Sequence, residues 1–233
     1  MMIRFENRPV GPAPALLAWR TASSGPRPVV LWFHGFTADK GTHRPELELF
    51  ADAGFLAIGV DAAGHGERRL VDFEQCLAGP PEQRHRLFLS LIAQTVAEVP
   101  AIIDGLPQNA DAQRIAVGGV SMGACIVYGA IAADCRIRVA AALLGSPAWS
   151  AAGGGPPPRP GLLPALLSIT AECDDVVPPA AARAMHEELA SHSRSGREFV
   201  KYREIRGAGH MLDPRDWDQA VHEVSAWFST HLR

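Results

Sequence analysis

The sequence predicts an α/β protein with a mostly parallel central sheet and helices on both of its faces. Short, continuous apolar runs recur along the chain, which is typical of strands buried on both faces of a parallel sheet. Segments with apolar residues at steps of three and four separate these runs, as in helices that cover a sheet. The 233 residues are enough to bury one large core, so a single domain over 1–233 is expected.

Six segments are predicted as strands. Five are continuous apolar runs, and the sixth alternates apolar and polar residues, which favours a place near the edge of the sheet. The five runs are 27–35, 54–64, 114–121, 139–146 and 165–172, and the alternating segment is 198–205.

Two stretches show a clear helical period. Apolar residues recur at helical spacing from Leu87 to Leu106, and a second stripe runs from Trp217 to Phe228 near the C-terminus. The glycine- and proline-rich segment 150–161 fits neither helix nor strand and is predicted to be a surface loop.

Composition excludes several classes of protein. The net charge of -3 comes from 22 basic and 25 acidic residues, which argues against binding to nucleic acid or an anionic membrane. The charged, proline-containing N-terminal segment does not resemble a secretory signal, and no run of about 18 apolar residues is present, so a cytoplasmic location is expected. The four cysteines show no CxxC spacing and are predicted to be buried free thiols rather than disulfides or metal ligands.

The segment from Gly119 to Gly123 reads Gly-Val-Ser-Met-Gly and joins a predicted strand to a predicted helix. In this context G-x-S-x-G is typical of a nucleophile elbow, in which Ser121 lies on a strained turn and the glycines avoid steric clashes. The N–H of Met122 would lie at the helix N-terminus, where it can stabilise a negatively charged oxygen. A plain strand-to-helix turn is the alternative interpretation.

A serine hydroxyl needs an adjacent base and a carboxylate that orients the base. Asp174 follows a predicted buried strand, and His210 lies in a glycine-flanked loop between the last strand and the last helix. The order serine, acid, histidine is that of the α/β-hydrolases. Asp175 is the alternative acid, and the spacing to Val177 and Pro178 favours Asp174.

The segment "HGFTADKG" follows the first predicted strand, about 85 residues before Ser121, where this fold carries its second oxyanion donor. Gly35 allows the backbone to turn there. The N–H of Phe36 is therefore the predicted second donor.

Taken together, the sequence resembles the α/β-hydrolase superfamily, and in particular small bacterial carboxylesterases of the dienelactone hydrolase and prolyl-oligopeptidase-like branch. The motifs that carry the resemblance are "HGFTADKG", "GVDAAGHGER", "GGVSMGA", "CDDVVP" and "GAGH". The resemblance implies Ser121 as nucleophile, Asp174 as acid and His210 as base, with the amides of Phe36 and Met122 as oxyanion hole. It implies no metal or organic cofactor, and a small-molecule ester as substrate; the oligomeric state stays open.

One departure from the family concerns the cap. Many relatives insert some 30 or more residues before the acid-bearing strand, whereas only the 19 residues 146–164 fill that gap here. No cap or a minimal one is therefore expected, with a shallow pocket roofed by Trp149 and by the segment of about 68–90.

Other residues in the motif loops have less specific roles. His34, His65 and Asp61 are expected to order the loops, although either histidine could be interpreted as catalytic. Arg68 and Arg69 could meet an acidic substrate, but a solvated helix start is the favoured interpretation. No histidine spacing indicates a metal site.

The predicted activity is hydrolysis of small, short-acyl carboxylic esters through an acyl-enzyme. A deacetylase, a thioesterase and a small-peptide hydrolase are alternatives, because the same triad serves all of them. A catalytically silent hydrolase fold that binds a ligand is the alternative from another class.

Overall fold

The computed structural model describes residues 2–21, 25–152, 164–192 and 199–232. Within these ranges the strands form one eight-stranded sheet in the order β1-β2-β4-β3-β5-β6-β7-β8. Strands β3 to β8 run parallel to one another, whereas β2 is antiparallel to both of its neighbours, β1 and β4. The strands are β1 Ile3–Val10, β2 Ala13–Arg20, β3 Arg27–Phe33, β4 Leu56–Val60, β5 Ala110–Val120, β6 Ile137–Leu143, β7 Ala165–Ala171 and β8 Val200–Ile205.

Seven helices and one short 3-10 turn, Gly66–Arg68, connect these strands within the described ranges. The helices are α1 Arg44–Asp52, α2 Phe73–Ala78, α3 Pro81–Asp104, α4 Met122–Ala133, α5 Pro147–Ala152, α6 Ala180–His192 and α7 Pro214–His231. All six predicted strands are present, and so are the two helices predicted from their period and the helix predicted after Ser121.

Two apolar cores lie on opposite faces of the sheet, because successive side chains of a strand point to opposite faces. Val29, Leu31 and Phe33 of β3 belong to the core that includes α3 and α4. Val30 and Trp32 belong to the other core, which includes α1 and α7. The central strands are therefore covered on both faces, as their continuous apolar runs predicted.

The hairpin of β1 and β2 was not predicted. Pro9 and Pro14 interrupt its polar-apolar alternation, and they lie opposite each other in the register of the pair. Pro9 is tolerated because β1 is an edge strand, where one N–H side needs no partner, and Pro14 is tolerated because it lies outside the part of β2 that pairs with β4, Ala15–Ala18. Gly11 makes the turn with a φ of 56°, and a Cβ at this position would lie 2.3 Å from the carbonyl oxygen of Ala101.

Helix α3 is long and apolar enough to cross a membrane by length and composition alone. Its buried residues, such as Ile92, Val96 and Val99, belong to the same core as α4 and β3. Packing against the sheet therefore accounts for its apolar composition.

The four cysteines are free, as predicted, but burial was predicted wrongly for two of them. Cys125 is buried in α4 and Cys76 is half-buried, whereas Cys135 and Cys173 are exposed. Both exposed cysteines lie just beyond the end of an element, where the chain leaves the core.

Candidate active site

Ser121 lies between the last residue of β5 and the first residue of α4, with φ 55° and ψ -114°. A positive φ at a residue other than glycine costs about 1–3 kcal/mol and persists only where the surrounding structure holds it. Here the N–H of Ser121 donates to the carbonyl of Leu143 at 2.8 Å, and the N–H of Cys125 donates to the carbonyl of Ser121 at 3.1 Å. The sharp turn separates the serine side chain from both elements.

The two glycines of the motif permit a close approach between the elbow and β3. A Cβ at Gly119 would lie 2.6 Å from the carbonyl carbon of Gly123, and a Cβ at Gly123 would lie 2.1 Å from the carbonyl oxygen of Phe33. Real Cβ atoms essentially never come this close to backbone. Both glycines are therefore required by the path of the backbone.

Replacing Gly123 with alanine is expected to lower the free energy of unfolding by about 3 kcal/mol, because the added methyl group must displace backbone of β3. For a chain of this size the melting temperature should fall by about 6–12 °C. Gly35→Ala is the matched control, since a Cβ there would lie 3.7 Å from that of Ser121, an ordinary contact. Thermal unfolding of both variants checks the expectation, which an unchanged Gly123→Ala melting temperature would contradict.

The structure brings the three predicted side chains together. Ser121 Oγ lies 3.0 Å from His210 Nε2, and His210 Nδ1 lies 2.7 Å from Asp174 Oδ2. A carboxylate can only accept a hydrogen bond, so Nδ1 donates to Asp174. In the neutral ring Nε2 is then free to accept the proton of the Ser121 hydroxyl.

The acid in this cluster is Asp174 and not Asp175. The Asp174 side chain is fully buried, and its Oδ1 accepts the N–H groups of Val176 and Val177 at 3.0 and 2.7 Å. These bonds hold the carboxylate so that Oδ2 faces His210. Asp175 is exposed.

Two hydrogen bonds join the loop that carries the acid to the loop that carries the histidine. Cys173 N–H donates to the carbonyl of Ala208 at 2.8 Å, and Gly207 N–H donates to the Glu172 carboxylate at 2.8 Å. The distance between Asp174 and His210 therefore depends on these links as well as on the neighbouring strands β7 and β8.

The two predicted oxyanion donors lie next to Ser121. Met122 is the first residue of α4, so its N–H has no acceptor within the helix. Gly35 lies so near the elbow that a Cβ on it would be 3.7 Å from that of Ser121, and Phe36 is the next residue along the chain. Among the residues that the structure describes, the Phe36 N–H has no hydrogen-bond acceptor. Both N–H groups are available to a negatively charged oxygen.

Four aromatic side chains, Phe36, Phe73, Phe88 and Trp149, form a continuous row that we call the aromatic wall. The ring of Phe36 lies 5.6 Å from Phe73 and 5.3 Å from Phe88, and Phe88 lies 5.2 Å from Trp149. Trp149 and the segment of about 68–90 were predicted as the roof of the pocket, and the aromatic wall includes residues from both.

The expected absence of a cap rests on the segment 146–164. Residues 153–163 of this segment lie outside the described residues.

His34 and His65 bind backbone rather than the cluster. His34 Nδ1 donates to the carbonyl of Gly35 and Nε2 accepts the N–H of Ala62, at 2.8 and 3.0 Å. His65 Nδ1 donates to the carbonyl of Ala63 and Nε2 accepts the N–H of Thr37, at 2.9 and 3.3 Å. Both rings must be neutral to make these bonds, and burial lowers the pKa of each, that of His34 to about 4.

Asp61 joins the loop after β3 to the loop after β4. Its buried carboxylate accepts the backbone N–H and the ammonium of Lys40 at 2.8 and 2.9 Å, and the N–H of Glu67 at 2.9 Å. Burial alone would raise the pKa of Asp61, but these hydrogen bonds and the Lys40 charge lower it. Sequence reasoning missed Lys40, although it lies within the "HGFTADKG" motif.

A cavity of about 450 Å³ lies beside this loop, and its lining does not include Ser121, Asp174 or His210. The three cationic side chains that line the cavity each have a partner within the protein. Lys40 pairs with Asp61 and Glu67, and Arg69 pairs with Glu74, while Arg44 lies 3.7 Å from the ring centre of Phe5; these contacts leave no evident place for an anion.

Arg68 and Arg69 both have partners within the protein. Arg68 donates to the carbonyls of Asp61 and Ala62 and pairs with Glu98. Within the described ranges, no group of three or more His, Cys, Asp or Glu side chains is arranged to hold a metal ion.

Comparison with known proteins identifies the family. Residues 24–163, more than half of the chain, match the family model described as serine aminopeptidase, S33. The esterase YjfP of Escherichia coli is 30% identical over 149 residues, which cover 62% of this chain and 56% of the relative. The chain thus spans little more than half the length of this curated relative.

Solved structures share the fold. Dienelactone hydrolase from Anabaena variabilis has a TM-score of 0.73 at 19% identity, and the match covers 99% of each chain. Esterase 2 of Thermogutta terrifontis, phosphoramylated by tabun, has a TM-score of 0.70 at 15% identity over 98% of this chain and 94% of its own. With the family match and the eight-stranded sheet, these likenesses confirm the predicted fold: the chain belongs to the α/β-hydrolases, in the family described as serine aminopeptidase, S33.

Proposed function

We propose that this protein is a serine carboxylesterase that hydrolyses small, short-acyl esters through an acyl-enzyme. The observation that carries the proposal is the unbroken hydrogen-bonded chain from Ser121 through His210 to Asp174, with the free N–H groups of Phe36 and Met122 beside the serine. A related protein named as an esterase supports the same reaction type.

In the proposed reaction Ser121 Oγ attacks the ester carbonyl while His210 Nε2 accepts the hydroxyl proton. The carbonyl oxygen becomes negatively charged and is stabilised by the N–H groups of Phe36 and Met122. His210, now protonated and stabilised by Asp174, gives the proton to the departing alkoxide. Water then attacks the acyl-enzyme with His210 again as base, and the acid leaves.

The short-acyl preference rests on the aromatic wall. Phe36 supplies both an oxyanion N–H and the first ring of the wall, so an acyl group bound at Ser121 meets packed rings that continue to Trp149. Packed aromatic rings leave little room for a long chain. Acetyl and butyryl groups fit this arrangement better than octanoyl groups do.

A panel of p-nitrophenyl acetate, butyrate and octanoate, with alanine p-nitroanilide as the amide comparison, tests the proposal. We expect kcat/KM for acetate and butyrate to exceed that for octanoate by about tenfold, the range by which one pocket discriminates acyl size. In Trp149→Ala the ratio of octanoate to acetate turnover should rise several-fold. Faster octanoate turnover would contradict the acyl preference, faster anilide turnover would favour a small-peptide hydrolase, and no turnover at all would favour a silent fold.

A further inference from the structure

The oxyanion donor Phe36 belongs to a loop that is held by side-chain contacts as well as by backbone hydrogen bonds. Thr37, the next residue, has a φ of 72°, which is unfavourable for a β-branched side chain. Such a conformation requires support from its surroundings. The support comes from contacts with the loop after β4. His65 and Asp61 of that loop accept the N–H groups of Thr37 and Lys40, and His34 accepts the N–H of Ala62.

The contacts that matter most for the direction of the Phe36 N–H are made by the carbonyl of the same peptide unit, that of Gly35. Gly35 C=O and Phe36 N–H belong to one planar trans peptide unit, so the two groups point in opposite directions. Two groups donate to that carbonyl, His34 Nδ1 at 2.8 Å and the N–H of Ala38, in the same loop, at 3.2 Å. The shorter bond comes from a ring that is itself held by Ala62, so it links the plane of the unit to the loop after β4. A Cβ on Gly35 would lie 3.7 Å from that of Ser121, so the peptide unit lies beside the serine and its plane decides where the Phe36 N–H points.

We propose that His34 is a positioning residue for the proposed esterase reaction, which it serves by fixing the Gly35–Phe36 peptide so that the Phe36 N–H faces the developing oxyanion. The proposal rests on the proposed function. His34 touches no substrate; it acts through the peptide unit. Its own orientation is fixed by Ala62 N–H, which donates to Nε2 at 3.0 Å.

The two contacts of His34 specify one protonation state. A carbonyl can only accept and a backbone N–H can only donate, so the ring must carry its single proton on Nδ1. The side chain is 1% exposed, and burial lowers its pKa to about 4, which keeps the ring neutral at physiological pH. His65 adds a second support by accepting the N–H of Thr37.

Two nearly isosteric variants separate positioning from packing. In His34→Asn the amide nitrogen can replace Nδ1 and still donate to Gly35, whereas in His34→Gln the amide oxygen can replace Nε2 and accept from Ala62. Each variant loses one hydrogen bond, so similar losses of thermal stability are expected. Only the Gln variant loses the bond to the Gly35 carbonyl.

The measurements are kcat and KM for p-nitrophenyl acetate and inhibition by a short alkyl trifluoromethyl ketone, whose adduct with Ser121 carries an oxyanion. In His34→Gln we expect kcat to fall by about 10²-fold, as when one oxyanion donor is lost, with a parallel loss of ketone affinity and a KM within about threefold. His34→Asn should stay within about fivefold of the wild type. Equal kcat values for the two variants, or a loss confined to KM, would overturn the proposal.

Wild-type turnover is measured first, because its absence would overturn the proposed function. If the wild type is active and the two variants have equal kcat values, only the positioning role is overturned.

If the variants do not fold, ¹⁵N NMR of the wild-type histidine rings tests the proposed protonation state of His34, which is assigned through its contact with the Ala62 N–H. A proton on Nδ1 alone, from pH 8 to pH 5, is the expected result. A proton on Nε2 in that range would overturn the proposal.

Discussion

Replacing Ser121 with alanine is expected to lower kcat/KM for p-nitrophenyl acetate by about 10⁴-fold or more, as loss of a serine nucleophile does in other triad enzymes. The hydroxyl oxygen is the atom 3.0 Å from His210 Nε2, and no other side chain in the cluster can take its place. Alanine removes only this oxygen, so the melting temperature should change little.

Ser225→Ala is the matched control, since Ser225 is a buried serine on α7 outside the cluster. It should keep full activity. A Ser121→Ala variant with more than a few per cent of the wild-type rate would contradict the assignment of the nucleophile.

Asp174→Asn is expected to lower kcat by about 10³–10⁴-fold, because an asparagine amide can donate to His210 Nδ1 and favours the wrong tautomer of the ring. The neighbouring Asp175→Asn should leave kcat within about threefold of the wild type. The structural reason is that Asp174 Oδ2 lies 2.7 Å from His210 Nδ1, whereas Asp175 is exposed.

Steady-state kinetics of the two variants with p-nitrophenyl acetate, at equal protein concentration and matched circular dichroism spectra, checks this expectation. If Asp175→Asn were the inactive variant, the geometry around His210 would have to change before reaction. If neither variant lost activity, His210 would act without an orienting carboxylate.

The parts of the site that could be predicted from sequence are those that local geometry dictates. Gly119 and Gly123 are required by close backbone contacts, so the motif around Ser121 has little freedom to vary. Asp174 follows the buried strand β7, and His210 follows the edge strand β8 of the same parallel sheet. The carboxyl ends of such strands meet at one edge, so the order of motifs along the chain predicts that the side chains meet.

What could not be predicted depends on contacts between distant segments. Phe73 and Phe88 join Phe36 only because α2 and the start of α3 fold over the loop after β3. Lys40 pairs with Asp61 across two loops, and its position in the sequence gives no indication of the partner.

The hairpin at the edge of the sheet and the exposure of two cysteines also depend on the position of a segment in the fold. The prolines of β1 and β2 oppose strand formation locally. They are acceptable because Pro9 lies on the edge strand and Pro14 lies outside the pairing of β2 with β4. Cys173 lies two residues beyond the end of β7 and is exposed, because the chain leaves the core there.

Covalent labelling by a fluorophosphonate tests the central claim most directly, since such reagents phosphonylate a serine only when an adjacent base activates it. The intact wild-type protein should gain the mass of one adduct, peptide mapping should place it on Ser121, and Ser121→Ala should gain none. An unchanged wild-type mass, or an adduct that persists in Ser121→Ala, would contradict the account.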